Sequence, residues 1–257
     1  MHTFSLLIIF LNFYPLFWCQ MLPASIKKCR FGDTICIADT MNYVIRNFPK
    51  GIPEIGLKPL DAVSVKDVLL VDDAQVGVAW FQFKLIDQIN YGFENTTITQ
   101  IKGFDQDPTS SSMEIYGTIP SLTYKGQYIA RGRMLWLVDV NATGESESDF
   151  QNFRFSLKLK VIPEYRYNKT YIKIYELVPD INIDRWIQWL DDFFYENTDL
   201  TIAMNRLFNE NWVEFWNELE PSILRTFASV FRHIIDDIFE KVAYNDMFLP
   251  SKEAMGL

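Results

Sequence analysis

Residues 122–140 read LTYKGQYIARGRMLWLVDV. The even positions are Leu, Tyr, Gly, Tyr, Ala, Gly, Met, Trp, Val and Val, while the odd ones include Thr123, Lys125, Gln127, Arg131, Arg133 and Asp139. Period-two alternation puts successive side chains on opposite faces, so the stretch reads as one strand with a dry face and a wet face. It is far longer than the ordinary strand of about 5–6 residues. A strand of this length implies an elongated, strongly curved sheet, with bulges expected near Gly126 and Gly132. The pattern returns at Phe153, Phe155, Leu157, Leu159 and Val161, which alternate with Asn152, Arg154, Ser156, Lys158 and Lys160.

Both flanks of this block change to helical period. Upstream, Asp33 caps a helix over Thr34–Asn47, with Ile37, Met41, Val44, Ile45 and Phe48 on one face. Pro49, Gly51 and Pro53 stop it, and GIPEIGLKPLD (51–61) reads as a turn-rich connector. Downstream, Trp216 begins an apolar series of Leu219, Ile223, Phe227, Val230, Ile234, Ile238 and Val242, which Leu224, Phe231 and Ile235 widen into a broad stripe. Pro221 lies inside this pattern and is expected to kink or divide the helix. Residues 200–219 also read as helical. A helix with such a stripe needs an equally long surface to cover, and the sheet supplies it. No linker, repeat or low-complexity tract intervenes, so residues 20–257 read as one α+β domain.

The opening MHTFSLLIIFLNFYPLFWC (1–19) has no Lys, Arg, Asp or Glu. It reads as a secretory signal peptide, and the alternative of an uncleaved anchor is disfavoured because a span needs roughly 20 apolar residues. Its removal leaves a secreted protein with no stable membrane insertion. Cys29 and Cys36 are then the only cysteines, and an oxidising compartment favours a disulfide between them. A zinc site would need about four ligands and only His233 remains to help, while the spacing is not that of a Cys-x-x-Cys redox pair. Hydrophobic residues make up 49% and aromatics 16%, too apolar for disorder, and the net charge of −9 argues against nucleic acid and anionic membranes.

No nucleophile elbow, dinucleotide fingerprint or P-loop occurs. His233 falls inside the apolar C-terminal helix and reads as an ordinary helix residue despite Asp236 and Asp237 nearby. The carboxylate neighbours Asp72–Asp73, Asp191–Asp192 and Asp236–Asp237 point in different directions. No catalytic residue, cofactor or metal is assigned, and an enzyme is disfavoured. Sequons stand at Asn95, Asn141 and Asn168, the last two expected in polar turns just beyond strand ends.

The order of LPASIKKC (22–29) with a second Cys at 36, GIPEIGLKPLD (51–61), YGFENTTITQIKGFD (91–105), IPSLTYKGQYIARGRMLWL (119–137) and LFNENWVEFWNELEPSILRTFASVFRHIIDDIFEKVAYNDMF (207–248) resembles the takeout and juvenile-hormone-binding-protein family of secreted insect proteins. The resemblance implies a long helix wrapped by a curved antiparallel sheet around a hydrophobic tunnel. It further implies carriage of terpenoids or other lipid-like molecules, without catalysis, in hormonal, feeding, chemosensory or circadian physiology. Hormone-binding proteins proper carry a second disulfide that this chain cannot form, so the resemblance is to the takeout-like branch.

A carrier needs a mainly apolar cavity with a few placed polar groups. The candidate contacts are Tyr124, Tyr128, Met134 and Trp136 from the long strand, Phe155 and Leu157 from the next, and Phe227 and Phe231 from the helix. Phe83 joins them although AQVGVAWFQFKL (74–85) fits either parity. The competing expectation is an interaction glycoprotein that binds a receptor or enzyme and uses the fold only as a scaffold.

Overall fold

The computed structural model describes residues 21–66, 68–72, 80–134, 138–195 and 197–250. The proposed signal segment and Trp136 lie outside them. Helix α1 spans Thr34–Asn47, and the Asp33 side chain accepts from the Cys36 amide at its start. Eight strands follow: β1 (Val63–Val65), β2 (Val68–Asp72), β3 (Trp80–Tyr91), β4 (Thr97–Lys102), β5 (Met113–Met134), β6 (Val138–Arg166), β7 (Lys169–Asn182) and β8 (Arg185–Leu190). Two helices close the chain, α2 (Thr198–Glu210) and α3 (Trp212–Lys241).

All eight strands form one antiparallel sheet. β5 and β6 pair along their whole shared length, and each outer edge of the pair carries two shorter strands end to end. β4 and β3 flank β5, while β8 and β7 flank β6. The long strand expected over 122–140 is thus two strands. Partners such as Tyr124↔Ser148, Gly132↔Val140 and Met134↔Val138 join even residues to even ones. The alternation therefore passes from β5 to β6 without changing phase, and periodicity alone could not locate the division. For the same reason the stretch around Asn141, expected as a polar turn, lies inside β6. Asn141 is an exposed strand residue opposite Arg131, not a turn residue.

The expected bulge at Gly126 is displaced to the neighbouring strand. Register between β3 and β5 shifts between Ile86 and Ile89, opposite Gly126, and Asp87 takes a φ of 48°. Near Gly132 the register is continuous. Gly126 instead provides room, since a Cβ there would lie 2.3 Å from the Gln88 Nε2.

Helix α3 presents Trp216, Ile223, Phe227, Val230, Phe231 and Phe239 as buried residues to the sheet. Pro221 does not divide it. Pro221 and Asn217, whose carbonyl the proline leaves without its helical donor, are both exposed, so water can serve that group. The helix boundary falls at Asn211, whose side chain donates back to the Leu207 carbonyl and closes α2. The connector at 51–61 docks on the far end of α3. Gly56 lies so close that a Cβ would sit 2.6 Å from the Asp237 carbonyl oxygen, Lys58 pairs with Asp237 at 2.9 Å, and Lys241 donates to the Pro53 carbonyl.

Helices α1 and α2 cover two free strand edges by one device. Asn42 of α1 accepts from the Ile98 amide and donates to its carbonyl at 2.7 and 2.9 Å. Asn205 and Asn209 of α2 do the same for Leu190 and Gln188 of β8, at 2.8–2.9 Å. Four helical residues rise about 6.0 Å and two strand residues about 6.6 Å, so an i,i+4 asparagine pair matches alternate edge residues. The side-chain amides stand in for a missing strand and protect the edge from other pairings.

Candidate ligand-binding cavity

The space inside the sheet is unevenly filled. Around the first half of β5, the sheet, α1 and the last turns of α3 enclose a cavity of about 270 Å³. Helix α1 contributes Ile37, Met41, Val44 and Ile45, the face its sequence period marks. Ile55, Leu57 and Leu60 come from the connector, and Phe93 and Ile98 from around β4. Ile115, Phe155 and Leu157 form the sheet wall, and Phe231, Ile234, Ile235 and Ile238 the α3 wall. Ile234, Ile235 and Ile238 are only partly buried although they face inward, as expected for side chains bordering space and not neighbours.

The polar wall residues are Lys27, Thr40 and Thr96. Lys27 is exposed and marks where the cavity approaches the surface. Thr96 Oγ1 donates to the Phe93 carbonyl and Thr40 Oγ1 to the Lys27 carbonyl, so both satisfy the backbone. The wall offers an apolar ligand dispersion and desolvation, with no charge inside.

Cys29 and Cys36 are joined in a disulfide, and Cys29 borders the cavity. Cys29 also bridges to Phe248, through a hydrogen bond from the Leu249 amide to the Cys29 carbonyl. Phe31 stacks on Phe248 at 4.4 Å, and Tyr244 donates to the Asp105 carbonyl. The two ends of the described chain are thereby tied together over one side of the cavity.

The residues predicted from sequence separate into groups. Phe155, Leu157 and Phe231 line the large cavity. Tyr124 and Phe227 line a second one of about 30 Å³, bounded by β1, β2, β3 and α3. Burial pushes the Tyr124 phenol up to about 12, although its hydrogen bond to Ser148 works the other way. It therefore stays neutral at physiological pH. Phe83 and Tyr128 stack on each other at 5.6 Å, and Tyr128 reaches Phe193 on its other side and donates to the Asp191 carbonyl. Neither borders the two cavities. Met134 pairs with Val138 at the end of β5, and its side chain, like Trp136, lies outside the described residues.

Two phenylalanine pairs separate the cavities. Phe227 packs on Phe153 and Phe231 on Phe155, each at 4.9 Å, with Phe227 and Phe231 themselves 6.3 Å apart. Sequence reasoning missed the α1 and connector walls of the large cavity. The apolar face of α1 was evident, but periodicity shows that a face is buried, not what it faces.

Comparison with known proteins agrees with this architecture. Residues 5–249 match the family model described as haemolymph juvenile hormone binding protein. The chain belongs to that family. Among members of known name it is 19% identical over 232 residues to the circadian clock-controlled protein daywake of Drosophila yakuba, covering 89% of both chains. It is 20% identical over 229 residues to the Drosophila melanogaster protein of that name, covering 88% of both. The crystal structure of Epiphyas postvittana Takeout 1 superposes with a TM-score of 0.71 at 20% identity, covering 85% of this chain and 97% of that one. The family fold of a large curved antiparallel sheet around a long C-terminal helix is therefore present here. Among the described residues no helix is long and apolar enough to cross a membrane, and no three His, Cys, Asp or Glu side chains gather as a metal site.

Proposed function

We propose that this protein is a secreted carrier that holds a small hydrophobic ligand in the cavity between α1 and α3. The observation that carries the reading is the wall itself. About 270 Å³ is surrounded by aliphatic and aromatic side chains from α1, the connector, the sheet, α3 and both ends of the described chain. That volume is close to the lower end of small-molecule sites, roughly 300–1,000 Å³. Packed interiors rarely leave voids much larger than a water molecule, so an apolar-walled space of this size is suited to an occupant. The family is one of binding proteins, which supports carriage and not catalysis.

The ligand class follows from the wall: a compact, uncharged, lipid-like molecule such as a terpenoid. Secretion rests on the 1–19 segment and the disulfide. Asn95 and Asn168 are exposed, Asn168 in the turn between β6 and β7, and both are suited to glycans on the secretory route, as is exposed Asn141. The names of the Drosophila relatives make clock-controlled physiology a reasonable setting. Organic extraction of protein secreted from insect cells, followed by mass spectrometry, tests the carrier reading. A defined apolar molecule in stoichiometric amount is expected. Recovery of none, together with no displacement of an apolar fluorescent probe, would favour the scaffold reading instead.

A further inference from the structure

The small cavity beyond the phenylalanine partition contains an unmet hydrogen-bond acceptor. Gln88 is 2% exposed, and its Oε1 has no partner. Its orientation is fixed by the other end of the amide. Nε2 donates to the Ile86 carbonyl at 3.1 Å and the Gln127 carbonyl at 2.9 Å, across the bulge at Asp87 and over the space that Gly126 leaves open. Flipping the amide would set its oxygen against two carbonyl oxygens, so the atom left without a partner is an acceptor.

The other polar residues on this wall turn their donors away from the cavity. Asn90 Nδ2 donates to the Val63 carbonyl, Thr226 Oγ1 to the Ser222 carbonyl, and the Tyr124 hydroxyl is hydrogen-bonded to Ser148. A buried acceptor left unmet costs free energy, and it is seldom left so without a water or ligand to meet it. About 30 Å³ accommodates a hydroxyl group or a water. Phe227 borders this cavity and Phe231, one helical turn on, borders the large one, so the two spaces lie on either side of a single layer of rings.

The geometry points to Gln88 Oε1 as the polar end of the ligand site, taking the terminal hydroxyl of a ligand whose apolar body fills the large cavity and whose chain enters the small one as the Phe227 and Phe231 rings turn aside. This rests on the carrier reading and narrows it. Molecules that end in a hydroxyl are selected, and those offering acceptors alone, such as ethers and esters, are not.

Displacement of an apolar fluorescent probe by 1-tetradecanol, its methyl ether and tetradecane tests the assignment on the full secreted chain. The alcohol is expected to bind about tenfold more tightly than the ether, the scale of one hydrogen bond to an otherwise unmet acceptor. Gln88→Met removes the acceptor at similar volume and should abolish that preference, bringing the alcohol and ether affinities within about twofold of each other. Equal affinity of alcohol and ether for the unmodified protein overturns the assignment, even if Gln88→Met does not fold. So does a preference that survives in Gln88→Met, which would indicate that only water occupies the small cavity. If alkane binds while the alcohol shows no advantage, the carrier reading stands and this inference fails. If none of the three displaces the probe, both fail.

Discussion

Helices α1 and α2 use the same asparagine device on edge strands, yet the interiors beneath them differ. Under α2 the space is filled. Trp186 packs edge-on against Phe208 at 4.8 Å and Trp216 at 6.2 Å, and Phe150 contacts Trp186, Trp216 and Phe227. Gln188 donates to Ser146 and accepts from Ser148, and the Trp186 indole donates to Ser148. Under α1 the facing side chains are aliphatic and aromatic, Thr40 and Thr96 donate to backbone carbonyls, and about 270 Å³ is left open. The two regions share an anchor and differ in content. Edge protection fixes where each helix sits, while the chemistry beneath it decides whether that region is core or container.

Five variants sharpen this contrast. The largest effect is expected at the packed boundary. Phe153 is fully buried among Phe150, Phe155 and Phe227, and Phe153→Ala should cost about 3–5 kcal/mol in urea unfolding, as for other deep aromatic truncations. Next comes Asn205→Ala, which strands both the amide and the carbonyl of buried Leu190. At ~1–3 kcal/mol for each unmet group, a loss of at least about 2 kcal/mol is expected. The matching Asn42→Ala on half-buried α1 should cost less. If the two asparagines prove equal, burial does not separate the two junctions.

Removing the disulfide with Cys29→Ser and Cys36→Ser together should cost about 2–3 kcal/mol, the value for closing so short a loop. Because Cys29 borders the cavity, probe affinity should change as well. The smallest stability effect belongs to the container. Met41→Ala should cost under about 2 kcal/mol, below the usual range for a packed Met, because one side of Met41 already faces space. Its probe affinity should shift clearly. A loss of core size at Met41 would mean that α1 packs on the sheet in solution.

Much of the framework was legible in local pattern. Asp33 and the period after it marked α1, and the alternation of 122–133 and 153–161 assigned the dry face of two central strands. The division between β5 and β6 was hidden because pairing preserves parity. The Asn211 boundary was hidden because Pro221 is the stronger local signal, although its exposed position makes it harmless. Asn205 and Asn209 stand four apart on a helix, a visible spacing, but their role depends on how α2 folds back onto β8, 15 and 21 residues earlier, which periodicity does not show. Tyr128 looked like a polar contact on an apolar strand face. Its hydroxyl is instead used by the Asp191 carbonyl, a partner 63 residues away.

The most direct test of the container reading is to fill it. Val44 of α1 borders the cavity, and Val44→Phe adds a ring where a packed core would have no room. The expected result is unfolding stability equal to or above the parent's, with the affinity for an apolar fluorescent probe largely lost. A destabilisation of about 1–3 kcal/mol, the usual cost of overpacking, in a protein whose parent binds no probe would contradict it, and would show that α1 covers a filled core as α2 does.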